Sequence, residues 1–226
     1  MKVEVRQTKD GSSTLYVPEL NEHYHSVHGA LQESMHVFIQ AGLGYFLPRR
    51  EELRVLEVGF GTGLNALLTL QQALLHQTPV LYDSLEKYPL APAVIKELHF
   101  EKFILNPELL DFHGQLHAVP WNEQVPVTPF FSLRKIETDL QQHVFPEAYY
   151  HLVYFDAFAP EKQPELWTEE VFAQLFAGLQ PDGVLVSYCA KGSFKRSLKA
   201  AGFAVEALPG PPGKREMTRA HKPSAP

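Results

Sequence analysis

The sequence predicts an α/β domain built around a mostly parallel sheet, and two observations support this prediction. From Arg54 onward, short apolar runs typical of strands alternate with helical patterns, and this alternation favours parallel strands joined by crossover helices. The chain has 226 residues, of which 45% are hydrophobic, so one domain with a full core is expected.

The first part of the chain is predicted to form an N-terminal extension. A strand pair over Val3–Arg6 and Thr14–Val17 flanks Asp10-Gly11, a dipeptide typical of tight turns. A helical pattern follows, over about Gly29–Leu47. We therefore divide the chain into an extension, residues 1–50, and a main domain, residues 51–226.

The main domain is predicted to contain seven strands and five helices. Each strand is a short run of apolar residues, and each helix has apolar residues three or four positions apart. The predicted strands cover residues 54–58, 80–85, 130–136, 151–155, 183–189, 203–208 and 215–220. The predicted helices lie near residues 64–75, 90–98, 138–143, 168–178 and 193–201. The stretch 98–129, rich in Phe, His and Pro, matches neither pattern and is predicted to hold an irregular insertion.

A loop with glycine at alternate positions follows the first strand of the main domain. Gly59, Gly61 and Gly63 stand between the run Val55–Val58 and a helical pattern that starts at Leu64. Glycine adopts backbone conformations closed to other residues and lets a ligand approach the main chain. The helix N-terminus behind the loop offers unpaired N–H groups and positive potential. The sequence therefore predicts a cofactor loop, with an ordinary glycine-rich turn as the alternative.

The spacing Gly-x-Gly-x-Gly differs from the Gly-x-Gly-x-x-Gly of dinucleotide-binding folds. It resembles the loop of class I S-adenosyl-L-methionine (SAM) methyltransferases, which implies a Rossmann-like fold and SAM as the cofactor. The loop residues expected to bind the cofactor are Gly59, Phe60, Gly61, Thr62, Gly63 and Asn65.

Two acids follow later strands in positions that suit a bound nucleoside. A carboxylate about 20 residues after the loop is expected to accept hydrogen bonds from the ribose hydroxyls, and Glu86, followed by Lys87, ends the next strand. Asp139, followed by Leu140, comes after the third strand, where the SAM-binding architecture covers the adenine. The alternative role for Asp139 is that of a helix N-cap.

Asp156 is the candidate catalytic residue. It follows the apolar strand His151–Phe155, and ligands of open α/β sheets bind at the carboxyl ends of the strands. The alternative is that Asp156 caps the next helix, but that helix begins nearer Thr168, which is the better N-cap. Pro160 and Pro164 are expected to stiffen the loop between them.

The stretch Asp156–Trp167 reads Asp-Ala-Phe-Ala-Pro-Glu-Lys-Gln-Pro-Glu-Leu-Trp and resembles the methyltransferase domain of MnmC-like tRNA-modification enzymes. The resemblance extends to Glu33–Gly44, Gly59–Asn65 and Gly213–Met217, and so spans nearly the whole chain. It implies methylation, with SAM, of the amine of 5-aminomethyl-(2-thio)uridine at the tRNA wobble position. Many members carry a C-terminal FAD-dependent oxidase domain, which nothing in this sequence resembles. A stand-alone methyltransferase domain is therefore expected.

The resemblance suggests roles for residues around Asp156. An alkylamine has a pKa of ~10 in water and arrives protonated, so Asp156 is expected to hold the ammonium, take its proton and orient the free amine. Phe158 and Trp167 are expected to stack on the extruded base, with packing inside the loop as the equal alternative. Pro160 is placed in the same substrate-binding group.

Positive charge is concentrated near the end of the chain. Between Ser187 and Pro226 there are eight basic and two acidic residues, although the net charge of the whole chain is −6. This distribution is compatible with a local phosphate-binding face, and equally with a solvated helix and tail. Lys214 and Arg215 are the candidate tRNA contacts.

The expected partners are the tRNA anticodon loop and either a separate oxidase or the enzyme that makes the aminomethyl precursor. No membrane association is expected, because no run approaches 18 apolar residues and the N-terminus lacks the apolar segment of a signal peptide. A single cysteine, Cys189, permits no internal disulfide, so the cytoplasm is the expected location.

The segment Glu22–Ser26 contains His-x-His but lacks further metal ligands, so no metal is expected and the segment has a substrate-facing or a structural role.

Two other functions remain open on the sequence alone. A small-molecule amine N-methyltransferase or an aminopropyltransferase would use the same fold and an acid at the sheet edge. A nucleotide-binding module without catalysis has less support, because the glycine loop, Glu86, Asp139 and Asp156 all occupy positions of a site.

Overall fold

The computed structural model describes residues 2–47, 50–100 and 111–224. A small antiparallel sheet opens the chain, with the strands in the order β1-β2-β3. A helical segment follows it, as expected: helix α1 runs directly into a π-helical stretch and a 3-10 turn. These elements are β1 (Glu4–Gln7), β2 (Ser13–Val17), β3 (Glu22–His23), α1 (Ala30–Ser34), the π-helix Met35–Gln40 and the 3-10 turn Leu43–Tyr45.

The main sheet has eight strands within the described residues, in the order β10-β11-β9-β8-β4-β5-β7-β6. The five central strands, from β9 to β7, run parallel, and the three outer strands pair antiparallel. The strands are β4 (Leu53–Val58), β5 (Val80–Glu86), β6 (Gln124–Thr128), β7 (Phe131–Glu137), β8 (Tyr150–Phe155), β9 (Leu179–Ser187), β10 (Ala204–Pro209) and β11 (Glu216–His221).

The mostly parallel α/β fold is confirmed, and the number of strands is corrected from seven to eight. All seven predicted strands are present, and β6 is the strand that the sequence pattern missed. Pro126 interrupts β6, and a proline within a short run argues against a strand because it cannot donate to the ladder. The edge position of β6 tolerates this proline, since its partner lies on one side only.

Five α-helices accompany the main sheet within the described residues. Four of them, α2, α3, α5 and α6, lie where helices were predicted, whereas the helix expected over residues 138–143 is only the 3-10 turn Leu140–Gln142. Helix α4 lies in the stretch 98–129 that was expected to be irregular; residues 101–110 of that stretch are outside the described residues. The helices are α2 (Leu64–His76), α3 (Pro92–Lys96), α4 (Phe112–Ala118), α5 (Glu169–Gly178) and α6 (Gly192–Ala200).

Apolar side chains cover both faces of the main sheet. Along β4, Leu53 and Val55 belong to the cluster that includes α2 and the N-terminal helical segment, whereas Leu56 and Val58 belong to the cluster that includes α5 and α6. This alternation follows from the two-residue period of a strand. The N-terminal helical segment therefore lies over α2 and closes one side of the sheet. Among the residues described, no helix combines the length and apolar character that crossing a membrane requires.

Candidate active site

A cleft with an empty volume of about 960 Å³ lies at the carboxyl ends of the parallel strands. After β4 the chain builds outward through β5 and β7, and later through β8 and β9 on the other side of β4. Ligands of open α/β sheets bind at such a reversal of strand order. The predicted residues that line the cleft are Gly59, Phe60, Gly61, Thr62, Asn65, Glu86, Lys87, Asp139, Leu140, Asp156 and Phe158.

The glycine loop takes a conformation and a packing that demand glycine. Gly59 and Gly61 have φ angles of +92° and +51°, which side chains rarely adopt. A Cβ atom on Gly61 would lie 3.1 Å from the ring of Tyr24, and one on Gly59 would lie 3.1 Å from the backbone oxygen of Asp156. Gly63 does not line the cleft, and it occupies the N-cap position of α2.

Three histidines hold the glycine loop at Thr62. The Nε2 atoms of His113 and His117 each lie 2.9 Å from the Thr62 carbonyl oxygen, and His25 Nε2 lies 3.4 Å from Thr62 Oγ1. A carbonyl only accepts, so both α4 histidines donate from Nε2. Burial, together with nearby His113 and Lys135, lowers the pKa of His117 to about 3, so this ring is neutral. The His-rich stretch therefore supports the cofactor loop, a role that its sequence did not reveal.

Glu86 lies beside the glycine loop at the end of β5. Its Oε2 atom accepts a hydrogen bond from Gly61 N at 3.0 Å, and its Oε1 atom accepts one from Tyr88 N at 2.7 Å. Burial raises the pKa of Glu86, and the backbone donors partly offset that rise. Each oxygen keeps a further lone pair, so the carboxylate can still accept from two vicinal hydroxyls.

The position of Asp139 is compatible with both roles considered for it, a helix cap and a cleft residue. Its Oδ1 atom accepts from Gln141 N at 3.2 Å and caps the short 3-10 turn, while the side chain also lines the cleft. Its Oδ2 atom accepts from Lys87 Nζ at 2.7 Å, and this bond lowers the pKa of Asp139. Lys87 therefore joins the ends of β5 and β7 at the cleft.

Asp156 lies in the cleft next to Asn65. Asn65 Nδ2 donates to Asp156 Oδ2 at 2.9 Å. Burial, together with the negative charge of Glu33, raises the pKa of Asp156 to about 7, whereas Asn65 and Lys214 act in the opposite direction. Asp156 does not cap α5, because Thr168 occupies that N-cap and accepts from Val171 N. The carboxyl is thus free to act on a ligand and titrates near neutral pH.

Lys214 forms an ion pair within the protein. Its Nζ atom donates to Glu33 Oε1 at 2.7 Å and lies 3.9 Å from the centre of the Tyr188 ring. Glu33 is buried, and its other oxygen accepts from Ser26 N at 2.7 Å. A buried carboxylate needs such partners, so the Lys214 charge compensates Glu33 inside the protein. This ion pair gives Lys214 a structural role that its sequence did not reveal, whereas Arg215 is exposed.

Most other basic residues near the end of the chain also have partners within the protein. Lys191 pairs with Glu161, and the pairs Lys195–Glu216 and Arg219–Glu206 have nitrogen–oxygen distances of 2.9 and 2.8 Å. Lys222 Nζ donates to two backbone oxygens. In the part of the chain that the structure describes, the exposed cations of this region without an ion pair are Arg196, Lys199 and Arg215.

Trp167 is part of the protein core and is not positioned to stack on a base. Its side chain is only 7% exposed and meets the rings of Phe155 and Phe194 edge-on, with centroids 4.9 Å away in both cases. Its indole N–H donates to the Phe158 carbonyl oxygen at 2.9 Å. Of the two roles considered for Trp167, this geometry agrees with packing inside the loop, where the side chain supports the backbone of Phe158. Pro160 is partly exposed and does not line the cleft.

Tyr24 is a cleft residue that sequence reasoning did not single out. It comes from the N-terminal extension, covers Gly61, and meets Phe158 edge-on with ring centroids 5.0 Å apart. The segment Glu22–Ser26 had been considered for a substrate-facing role, but the sequence could not show which of its side chains enters the cleft. Across residues 2–47, 50–100 and 111–224, no group of three His, Cys, Asp or Glu side chains is arranged to hold a metal ion.

Comparisons with known proteins agree with this geometry. The model of a family described as S-adenosyl-L-methionine-dependent methyltransferase matches residues 131–223. The tRNA 5-methylaminomethyl-2-thiouridine biosynthesis bifunctional protein MnmC of Cupriavidus metallidurans is 32% identical over 91% of this chain and 32% of its own length. The protein of the same name from Magnetococcus marinus is 32% identical over 94% of this chain and 34% of its own length. The chain thus spans about a third of the length of these relatives.

A solved structure gives the same result for the fold. The crystal structure of MnmC2 from Aquifex aeolicus superimposes with a TM-score of 0.82 and 28% sequence identity. The superposition covers 99% of this chain and 71% of that chain.

Proposed function

Because the chain belongs to the MnmC-like SAM-dependent methyltransferases, we propose that it methylates the amine of 5-aminomethyl-(2-thio)uridine at the wobble position of tRNA. The observation that carries this proposal is Asp156, a carboxyl in the cleft with a pKa of about 7. It lies beside the glycine loop, where a cofactor and an amine can meet.

The residues present are suited to SAM. The glycine loop leaves no room for side chains and offers the backbone of Gly59–Gly63 to a ligand, while Glu86 can bind the ribose hydroxyls. Asp139 and Leu140 are placed for the adenine end of the same cleft. When bound, SAM supplies an electrophilic methyl group on a sulfonium.

Asp156 performs the acid–base part of the reaction. Its ionised carboxylate holds the incoming ammonium and takes one proton, which leaves a neutral amine with a free lone pair. Asn65 fixes the carboxylate by its 2.9 Å hydrogen bond, so the amine is held in one orientation. Alignment of this kind can lower a barrier by ~7–11 kcal/mol. No covalent intermediate with the protein is required.

Aromatic and basic side chains outside this centre supply the contacts to RNA. Phe158, held against Tyr24, lines the cleft and can stack on an extruded base. Arg196, Lys199 and Arg215 are exposed and can contact phosphates.

The proposed boundary at residue 50 divides this site between two parts of the chain. Residues 1–50 supply Tyr24 over the loop, and residues 51–226 supply the cofactor site and Asp156.

A primary amine must exist before it can be methylated, so a separate oxidase or the enzyme that makes the aminomethyl precursor acts before this one. Such work on tRNA places the protein in the cytoplasm.

The experiment is a methyl-transfer assay with purified protein and isotopically labelled SAM. One tRNA carries 5-aminomethyluridine or its 2-thio form, a matched tRNA carries unmodified uridine, and putrescine and spermidine serve as small amine substrates. Mass spectrometry of the nucleosides should show one labelled methyl on the aminomethyl group of the first tRNA alone. Methylation of a polyamine in the absence of tRNA would instead establish the small-molecule alternative. Bound SAM without any transfer would leave only a binding module.

A further inference from the structure

A polar cluster lies inside the apolar core directly behind Asp156. Glu57 on β4 is fully buried and, two residues after Val55, shares the sheet face that packs against α2. Its Oε2 atom accepts a hydrogen bond from Ser84 Oγ at 2.6 Å. Burying a carboxyl on this face, where an apolar side chain would fit, costs folding free energy. Its presence therefore requires an explanation.

The hydrogen bonds of this cluster are incomplete when Glu57 is ionised. In the part of the chain that the structure describes, Glu57 Oε1, Asn65 Oδ1 and Tyr82 Oη are buried and have no hydrogen-bond partner. Asn65 and Tyr82 both border the Glu57 carboxyl. The Tyr82 hydroxyl can donate to Glu57, but Asn65 Oδ1 then still lacks a donor. A proton on Glu57 adds one donor to the cluster and removes a buried charge.

The charges around Glu57 also favour its neutral form. Burial, together with the charge of Asp156, raises the pKa of Glu57 to about 8, although the polar groups beside it act in the opposite direction. No cation is among the described groups that influence it. The groups that face it are Ser84 and Tyr82 on β5, Tyr154 on β8, Asp156 after β8, and Asn65 on α2.

We propose that neutral Glu57 is a positioning residue for Asp156, because it leaves the Asn65 amide committed to Asp156. Ionised Glu57 attracts the second N–H of the same amide, which draws the amide away from Asp156, and it places a second negative charge beside Asp156. Activity should therefore fall on the alkaline side as Glu57 ionises. This inference rests on the proposed role of Asp156 in amine methylation.

Two substitutions separate positioning from packing. Glu57→Gln keeps the size and a donor but cannot ionise, so it should retain the neutral-pH rate and lose the alkaline fall that the wild type shows above about pH 8. Glu57→Met keeps the bulk without a donor, so kcat should fall about tenfold or more with unchanged SAM affinity, since misplaced reacting groups lose rate steeply. An alkaline fall that persists in Glu57→Gln, or a Glu57→Met enzyme with the wild-type kcat, would overturn the inference.

A second measurement does not depend on activity. The side-chain amide signal of Asn65 in NMR spectra, assigned by its loss in Asn65→Asp, should show a step near pH 7 from its partner Asp156 in both proteins, and a second step near pH 8 in the wild type that is absent from Glu57→Gln. If the protein fails to methylate tRNA but this titration is observed, the proposed function fails and the Glu57–Asn65 coupling stands. If the Asn65 signal titrates identically in both proteins, the inference fails whatever the enzyme does.

Discussion

The two halves of the cleft differ in how the chain builds them. The cofactor half consists of the glycine loop after β4 and Glu86 at the end of β5, two strands that follow each other in sequence and pair in parallel. The proposed amine half contains Asp156, and the charges that act on it come from Glu33 and Lys214 in distant parts of the chain. A local motif determines the first half, whereas long-range packing determines the second, so substitutions in the two halves should affect different measurements.

The largest expected effect of a substitution is the loss of SAM binding in Gly61→Val. Valine at this position would require a positive φ angle and would place Cβ 3.1 Å from the Tyr24 ring, so Gly61→Val should abolish SAM binding measured by calorimetry. Gly114→Val is the matched control, because a Cβ on Gly114 meets nothing within 4 Å. Wild-type affinity in a folded Gly61→Val protein would remove the loop from the cofactor site.

The next largest effect is expected at Asp156, in the amine half. Asparagine keeps the size of the side chain but cannot accept a proton, so Asp156→Asn should lower the rate of methyl transfer by ~10²-fold or more while SAM affinity survives. Single-turnover kinetics and calorimetry on the same preparation measure the two quantities. A variant that loses SAM affinity and rate together would place Asp156 in the cofactor half.

A smaller effect is expected at Glu86, in the cofactor half. Loss of charge-assisted hydrogen bonds to the ribose, ~1.5–3 kcal/mol, should weaken SAM binding about tenfold or more in Glu86→Ala. Glu137→Ala is the control, since Glu137 pairs with Glu86 in register but is exposed and outside the cleft. If turnover falls in Glu86→Ala while SAM affinity is unchanged, the ribose assignment is incorrect.

The smallest effect is expected for two neighbouring cations. Arg215→Ala should reduce the slope of log affinity for tRNA against log salt by about one, because one phosphate contact is lost. Lys214→Met should leave that slope unchanged and instead lower the melting temperature, because buried Glu33 loses its partner. Equal changes of slope in both variants would show that Lys214 also faces the RNA.

The same contrast explains what the sequence could predict. The glycine loop, Glu86, Asp139 and Asp156 were found because each follows a recognisable apolar strand, and parallel strands bring their carboxyl ends to one edge. The contacts of Trp167 and Lys214 could not be predicted because their partners lie far away in sequence: Phe155 and Phe194 bury the indole, and Glu33 binds the ammonium. Periodicity and net charge contain no information about such partners.

The missed elements have a similar physical cause. Strand β6 contains a proline that only an edge position tolerates, and the histidines of α4 show their role only through the Thr62 carbonyl that they contact. Glu57 was read as an ordinary strand residue, because its burial and its neighbour Asn65 become visible only when α2 packs on the sheet.

The pH dependence of kcat/KM for tRNA, at saturating SAM, tests the central claim that Asp156 takes the proton of the amine. Burial raises the pKa of Asp156 to about 7, and only the ionised form can accept a proton. The wild-type value should therefore rise with pH through a midpoint near 7, before the alkaline fall that we assign to Glu57 begins above about pH 8. In Asp156→Asn it should start far lower and continue to rise without that midpoint, because more of the amine then arrives neutral. The same midpoint in both proteins, or wild-type efficiency in Asp156→Asn at neutral pH, would contradict the assignment of Asp156.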